Sequence, residues 1–199
     1  MLKDIFQQDI VLENERVLLR PLEESDYENL LPFSLNEPDL WKFGLVTAAG
    51  EENLKNYIHT AVQNRKDKKE YAFIVFDKQT NQYAGSTRFY DIQQPFLTTQ
   101  LGYTWYGAAF QRTGLNRHCK FLLFSFVFEQ WGLERLELRA DANNERSIAA
   151  MKAIGCTVEG ILRNHMPTAQ GFRRNSIVLS ILKEEWFGGG KEKLQQLIR

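Results

Sequence analysis

Two short segments of the chain carry residue types and spacings that could do chemistry. The first is Gln111-Arg112-Thr113-Gly114-Leu115-Asn116-Arg117, which stands between a predicted strand and a predicted helix. The first turn of a helix has unpaired backbone N–H groups and a positive dipole potential, and both favour phosphate oxygens. Gly114 permits close approach to the backbone, while Arg112, Arg117 and Lys120 add positive charge. This segment predicts a phosphate-binding turn.

The second segment places three functional groups on one face of a predicted helix. Asn144, Ser147 and Met151 are spaced i, i+3 and i+7, so an amide, a hydroxyl and a thioether would follow one another along that face. Asparagine is also a preferred N-cap residue, and a serine on a helix is often only a surface residue. Binding and purely structural roles therefore both remain open for Asn144 and Ser147.

Other phosphate motifs do not match the first segment. A P-loop requires GxxxxGK[ST], whereas Gly107 and Gly114 have the wrong spacing and no lysine follows directly. The GxGxxG pattern of dinucleotide-binding folds is absent from the sequence. The first segment is therefore either a phosphate site of another kind or an ordinary helix start with solvated arginines.

Composition narrows the class of protein. Lys+Arg and Asp+Glu are 25 each among 199 residues, so the net charge is zero and gives no general attraction to nucleic acid or anionic membranes. The longest apolar run, Phe121 to Phe128, is interrupted by Ser125 and is too short to span a bilayer. We expect a protein that binds neither nucleic acid nor membrane.

Neither the N-terminal residues nor the metal-binding residue types show a sign of export or of a metal site. Met1 to Asp9 contains acidic and amide side chains where a signal peptide needs an apolar region, so we expect a cytoplasmic protein. Two cysteines and three histidines show no metal-ligand spacing, and no metal site is predicted.

Hydrophobic periodicity predicts mixed α and β elements that would position the two segments. Val11 to Leu19 indicates a strand pair, and Ser25 with Glu28 predicts a capping box ahead of a first helix and an irregular stretch at 32–50. No repeat or linker divides residues 1–199, so one domain is predicted. The remaining predicted elements are a helix at 51–68, strands at 71–76, 83–92 and 100–106, a helix at 114–131, a strand at 135–140, a helix at 144–154, strands at 157–165 and 172–182, and a helix from 183.

Together the motifs resemble those of the GNAT N-acetyltransferases. Gln111 and Gly114 match the Q-x-x-G-x-G/A pyrophosphate loop of that family, although Asn116 replaces the second small residue. The RimJ and RimL branch tolerates larger residues there. Asn144-Glu145-Arg146-Ser147 and the run from Lys152 to Gly160 look like the N-x-x-S helix and the following G-F-x-x-E-G strand of that branch.

The resemblance implies a GNAT fold of the mixed α/β class, with a mostly antiparallel twisted sheet that is splayed at the cofactor site and flanked by helices. Acetyl-CoA would lie between the strand at 102–106 and the strand from Arg135, with its pyrophosphate on residues 111–117. The cofactor-binding residues implied are Thr104, Trp105, Tyr106, Gln111, Arg112, Thr113, Gly114, Leu115, Asn116, Arg117, Asn144, Ser147 and Met151.

The implied reaction is attack of a neutral primary amine on the thioester, with backbone N–H groups of the distorted central strand holding the oxyanion. Glu137 and Asp141 are the candidate bases, because they lie on or just after the strand that leads to Asn144. Strand alternation slightly favours Glu137 over Asp141. For each of them a solvated carboxylate without catalytic function remains the alternative.

The leaving thiolate raises a separate question. Many GNAT enzymes place a tyrosine seven residues after the equivalent of Asn144 to protonate the thiolate, and here that position is Met151, which cannot donate a proton. The resemblance to the RimJ and RimL branch implies that Ser147 contacts the thiol instead. Tyr103 is a second, less supported candidate for the same role.

The acceptor is the least defined part of this prediction. The resemblance implies a protein N-terminal α-amine, as in ribosomal-protein-alanine acetyltransferases, and a small-molecule amine (a polyamine or an antibiotic) is the alternative. A non-catalytic acyl-CoA sensor is a third hypothesis, which Met151 encourages. Trp41, Phe43, Phe89 and Tyr90 could line an acceptor slot or could belong to the core. A homodimer is left open.

Overall fold

The computed structural model describes residues 4–198. Met1–Lys3 and Arg199, which the N-terminal and terminal-helix predictions include, lie outside the described residues. The strands are β1 (Leu12–Glu13), β2 (Val17–Pro21), β3 (Tyr71–Asp77), β4 (Gln82–Gln93), β5 (Thr98–Tyr106), β6 (Arg135–Asp141), β7 (Thr157–Pro167) and β8 (Arg173–Leu182). The helices are α1 (Tyr27–Asn36), α2 (Glu51–Lys66), α3 (Leu115–Ser125), α4 (Glu145–Ala153), α5 (Lys183–Glu185) and α6 (Lys191–Gln196).

All strands form one eight-stranded sheet in the order β1-β2-β3-β4-β5-β6-β8-β7. Every neighbouring pair is antiparallel except β5 and β6, which are parallel because α3 carries the chain back between them. Within residues 4–198 this parallel pairing joins only Thr98–Gln100 to Arg135–Glu137, and the two strands diverge beyond it. The predicted splayed, mostly antiparallel sheet is confirmed.

Two apolar cores cover the two faces of the sheet. Leu30 of α1 and Leu54 and Tyr57 of α2 pack against one face. Leu115 and Leu123 of α3 belong to the core on the other face, which α4 and α6 also join. No helix among residues 4–198 is both long and apolar enough to cross a bilayer.

The start of the first helix differs from the predicted one. Ser25 and Glu28 do not form the capping box; the Ser25 hydroxyl instead donates to Glu23 at 3.4 Å. A short 3-10 turn at Glu24–Asp26 precedes α1, and the carboxylate of Asp26 accepts the backbone N–H of Glu23 at 3.0 Å. Asp26 also pairs with Arg20, so a tertiary ion pair decides where the helix begins.

Helix α1 also continues through Pro32, where the sequence predicted irregular structure. Proline removes one helical hydrogen bond, but the following residue, Phe33, makes edge-to-face contacts with Trp105 and Phe110. The side-chain amide of Asn36 donates to the Pro32 carbonyl at 2.8 Å. Packing of this face on the sheet therefore overrides the local propensity.

The C-terminal segment closes the core around α3. After α3 a π-helical turn runs over Phe126–Trp131, and the chain leaves it at Gly132 with φ +84°. Trp186 is fully buried against Phe124 and Phe128, and its indole N–H donates to Glu129 Oε1 at 2.9 Å. The tail is therefore part of the core that holds α3 in place.

A pair of adjacent substitutions tests this role of the tail. Trp186→Ala should lower the free energy of unfolding by about 3–5 kcal/mol, because it leaves a large cavity and removes the indole hydrogen bond to Glu129. Phe187→Ala is the matched control: its side chain is 56% exposed, and the expected change is below about 0.5 kcal/mol. Urea denaturation measures the free energy of unfolding of both variants. Equal losses would contradict the assignment of Trp186, and not of Phe187, to the core.

Candidate active site

A cavity of about 480 Å³ opens where β5 and β6 diverge. Its walls come from β5, the loop into α3, the end of β6, the first turns of α4 and the segment at 40–46. The predicted site residues that line it are Tyr103, Thr104, Trp105, Tyr106, Gln111, Arg112, Gly114, Asn116, Arg117, Asp141, Asn144, Ser147 and Met151. The fold thus brings the two motif segments to one place.

Three predicted residues have side chains that do not line this cavity. The Thr113 hydroxyl donates to the Phe110 carbonyl at 2.8 Å, and Leu115 is fully buried in the core. Glu137 lies between two arginines: its oxygens accept from Arg135 at 3.1 Å and from Arg139 at 2.6 Å. Thr113 and Leu115 therefore shape the turn, and Glu137 is an ion-paired carboxylate of the strand.

The loop before α3 presents backbone donors to the cavity. Within residues 4–198, the N–H groups of Arg112, Thr113, Gly114 and Asn116 have no protein acceptor. Arg112 (φ +62°) and Gly114 (φ +91°) turn the chain so that successive N–H groups form a concave anion-binding turn. The Gln111 side chain fixes this turn by donating to the Tyr106 carbonyl at 2.8 Å.

A Cβ placed on Gly114 would meet no protein atom within 4 Å, so the space in front of the turn is open. Arg112 and Arg117 line the same space and supply positive charge. Free N–H groups, local cations and an open approach together fit the pyrophosphate of acetyl-CoA. The residues present therefore suit the group that the sequence predicted for them.

Helix α4 begins as predicted. The side chain of Asn144 accepts the backbone N–H of Ser147 at 3.1 Å, which is the N-cap bond. Asn144, Ser147 and Met151 also line the cavity. Asn144 therefore caps the helix and also lies at the candidate site.

A β-bulge distorts β5 inside the cavity. Ser86 pairs with Trp105 and Arg88 with Gly102, so Tyr103 and Thr104 together oppose Thr87 alone. Tyr103 has φ +49°, an unusual conformation for a residue with a side chain. The bulge takes backbone groups out of the strand ladder; the Tyr103 carbonyl accepts from the Tyr57 hydroxyl at 3.5 Å.

Lys120 of α3 lies deep in this cavity, a position that the sequence did not reveal. Its side chain is 4% exposed, and its Nζ donates to Thr104 Oγ1 at 3.2 Å. Burial lowers the pKa of Lys120 to about 8, against a smaller raising effect of the Cys119 and Cys156 thiols. The one sequence signal was a lysine that directly precedes the apolar run Phe121 to Phe124.

Aromatic and charged side chains line the cavity around Tyr103. Tyr90 and Tyr103 meet edge to face at 5.1 Å, and burial raises the pKa of each phenol. Arg139, Arg174 and Asp141 line the cavity beside them. Trp41, Phe43 and Tyr90 line it as the sequence suggested, whereas Phe89 is in the core against Trp131.

The two candidate bases occupy different surroundings. The carboxylate of Asp141 is 5% exposed, lines the cavity and accepts the backbone N–H of Asn143 at 2.9 Å. Glu137 contacts two guanidinium groups and is not among the cavity-lining residues of the described chain. The geometry therefore favours Asp141 and reverses the slight preference that alternation gave Glu137.

Comparison with known proteins identifies the family. The acetyltransferase (GNAT) domain family matches residues 16–157. The chain belongs to this family. The "Putative ribosomal N-acetyltransferase YdaF" of Bacillus subtilis (strain 168) is 27% identical to this GNAT chain over 180 residues, which cover 88% of the chain and 96% of that relative.

Solved GNAT structures share the fold over nearly the whole chain. A GCN5-related N-acetyltransferase from Brucella melitensis superposes with a TM-score of 0.89 at 23% identity, covering 100% of this chain and 90% of that one. A "putative ribosomal-protein-serine acetyltransferase" from Vibrio cholerae has a TM-score of 0.74 at 25% identity, covering 92% of this chain and 99% of that one. This GNAT chain is an acetyl-CoA-dependent N-acetyltransferase of RimJ/RimL-like type.

Proposed function

We propose that this GNAT enzyme acetylates the α-amine at a protein N-terminus. The observation that carries the proposal is the charge of the cavity wall, where Arg139 and Arg174 accompany the carboxylate of Asp141. Arg139 is ion-paired with Glu137, whereas Arg174 forms no salt bridge within residues 4–198. A polyamine or an aminoglycoside carries several positive charges, which the Arg174 guanidinium would repel. A peptide N-terminus carries one amine and several carbonyl groups, which are acceptors for guanidinium donors.

The fixed orientation of these arginines supports a peptide acceptor. Arg174 Nη1 donates to the Phe43 carbonyl at 3.2 Å, and its Nε donates to the Ser176 hydroxyl at 2.9 Å. Burial lowers the pKa of Arg174, yet the guanidinium stays charged at neutral pH. The name of the Bacillus subtilis relative, a ribosomal N-acetyltransferase, is consistent with the same acceptor class.

The proposed mechanism uses groups that the cavity already contains. The free N–H groups of the turn at 112–116 bind the pyrophosphate, and the bulge at Tyr103 and Thr104 supplies N–H donors for the oxyanion. Asp141 accepts the amine proton, directly or through water. An α-amine has a pKa of about 8 and is partly neutral at physiological pH, whereas a lysine amine near 10.4 is almost wholly charged.

A panel of acceptors tests this proposal by thiol release from acetyl-CoA. Peptides with a free N-terminal serine or alanine should be acetylated at the α-amine, as located by mass spectrometry. The matched controls are the same peptides with a blocked α-amine and an internal lysine, together with spermidine and an aminoglycoside; each should react about 100-fold more slowly. Faster turnover of spermidine or the aminoglycoside would contradict the proposal in favour of a small-molecule acceptor.

A further inference from the structure

We propose that Lys120 is the group that contacts the leaving sulfur of CoA and returns a proton to it. The role that a tyrosine at position 151 performs elsewhere in the family would then belong to a residue of α3. This inference rests on the acetyl-CoA site proposed above. It replaces the prediction that Lys120 adds charge at the phosphate-binding turn, since its ammonium contacts Thr104 of the bulge.

The first argument is that Lys120 is a buried cation without a counter-ion. No carboxylate of residues 4–198 forms a salt bridge with it, and its one hydrogen bond uses one of three ammonium protons. An unpaired buried charge is costly, so a group of this kind either becomes neutral or meets an anionic ligand. The two remaining protons have no hydrogen-bond partner among residues 4–198, and Lys120 lines the cavity.

The second argument is position along α3. Lys120 lies six residues after Gly114, which corresponds to about 9 Å along the helix from the anion-binding turn. Its hydrogen-bond partner, Thr104, is one of the two bulged residues of β5, beside Tyr103. Lys120 is therefore at the deep end of the cavity, by the bulge, and away from the pyrophosphate turn.

The third argument is the neighbourhood of Met151. The Cys156 thiol is close enough to influence Lys120, and the Cys156 N–H donates to the Met151 carbonyl at 3.1 Å. Met151 and Lys120 both line the cavity. The Lys120 ammonium therefore lies near the end of α4 that carries Met151, and the two residues belong to different walls of the cavity.

The surrounding groups leave the proton on Lys120 transferable. The titratable neighbours are Cys119 on its own helix and Cys156 at the start of β7, and burial raises the pKa of these thiols to about 11 and about 12. Both thiols therefore remain neutral at physiological pH. The other charged residues of the cavity are Arg112, Arg117, Arg139, Arg146, Arg174 and Asp141.

The step balances without any further reagent. The amine nitrogen attacks the thioester carbon, and collapse of the tetrahedral intermediate breaks the C–S bond and leaves a CoA thiolate. Lys120 gives one ammonium proton to the sulfur, while the proton of the new amide nitrogen goes to Asp141 or water. Lys120 then recovers a proton from solvent. Proton transfer is favoured here because burial lowers the pKa of Lys120 to about 8, which makes its ammonium a stronger acid than a solvated lysine.

The experiment measures the thiol pKa of bound CoA from its ultraviolet thiolate absorbance across a pH titration. In the parent enzyme we expect this pKa to lie at least about one unit below that of free CoA, since a cation faces the sulfur. In Lys120→Met it should rise above that of free CoA. Ser147→Ala is the matched comparison, because removal of that hydroxyl leaves the ammonium in place and the thiol pKa low.

Turnover and stability provide independent readouts. Lys120→Met should reduce kcat about tenfold to 100-fold while the Kd for acetyl-CoA changes less than about threefold. Its melting temperature should rise, because methionine replaces a buried unpaired charge. Lys120→Arg keeps the charge but holds its proton, so it should preserve the low thiol pKa and still lose turnover.

The possible failures are distinguishable. An unshifted thiol pKa in the parent enzyme, or a shift that Ser147→Ala abolishes and Lys120→Met preserves, would overturn the role of Lys120. Failure of the parent enzyme to bind CoA in a calorimetric titration would overturn the acetyl-CoA site on which the role depends.

Discussion

Replacement of Gly114 by valine should weaken acetyl-CoA binding about 100-fold. The added side chain would enter the open space before the turn, where the N–H groups at 112–116 face the cavity. Loss of two charge-assisted hydrogen bonds, at about 1.5 kcal/mol each, accounts for an effect of that size. Calorimetric titration with acetyl-CoA measures it.

Backbone strain must be separated from this steric effect. Gly114 has φ +91°, so any side chain there also costs stability. Gly155→Val is the matched control, since Gly155 has φ +96°, has no atom near its potential Cβ and does not line the cavity. Both variants should melt at lower temperature, and only Gly114→Val should lose affinity. Equal affinities in the two folded variants would place the pyrophosphate elsewhere.

Asp141→Asn should lower kcat/KM for a peptide acceptor about 100-fold at neutral pH. Asparagine keeps the oxygen that accepts the Asn143 N–H, so the turn into α4 is preserved and only the proton acceptor is lost. The deficit should shrink as pH rises, because a larger fraction of the α-amine is then already neutral. Initial rates between about pH 6 and pH 9 show this trend.

Glu137→Gln is the companion variant. Its carboxylate contacts Arg135 and Arg139 outside the cavity, so the expected change in rate is less than about threefold. A large loss in Glu137→Gln with little change in Asp141→Asn would return the base to Glu137. Wild-type rates in both variants would mean that positioning of a neutral α-amine suffices without a side-chain base.

The sequence predicted local features well because local interactions determine them. The N-cap at Asn144 and the turn with Gly114 depend on residues a few positions apart, and both elements form where their patterns indicated. Whether Glu137 or Asp141 is the better candidate base depends instead on the ion pairs of β6 and on the point where β5 and β6 separate. Alternation alone cannot give that information.

Lys120 illustrates the same limit more sharply. A lysine within an apolar helix is normally expected to extend its amine to solvent. Its burial follows from the divergence of β5 and β6 and from Thr104 on a bulge, neither of which has a sequence pattern of its own. Pro32 is a parallel case, since the contacts of Phe33 keep α1 intact.

The short parallel pairing of β5 with β6 also has a consequence for the motions of the enzyme. The two parts of the sheet, β1 to β5 and the group β6, β8 and β7, are joined in the described chain by the short ladder at Thr98–Gln100 and by the Leu97 carbonyl, which accepts from the N–H groups of Glu134 and Arg135. Local opening costs least where backbone pairing is sparse, so amide hydrogen exchange should be fastest along this line in the free enzyme. A co-substrate that binds between β5 and β6 stabilises, by mass action, the conformation in which these two strands are paired. Exchange along this line should therefore slow when acetyl-CoA is bound and recover when CoA is released, and hydrogen-exchange measurements on the free and bound enzyme show this.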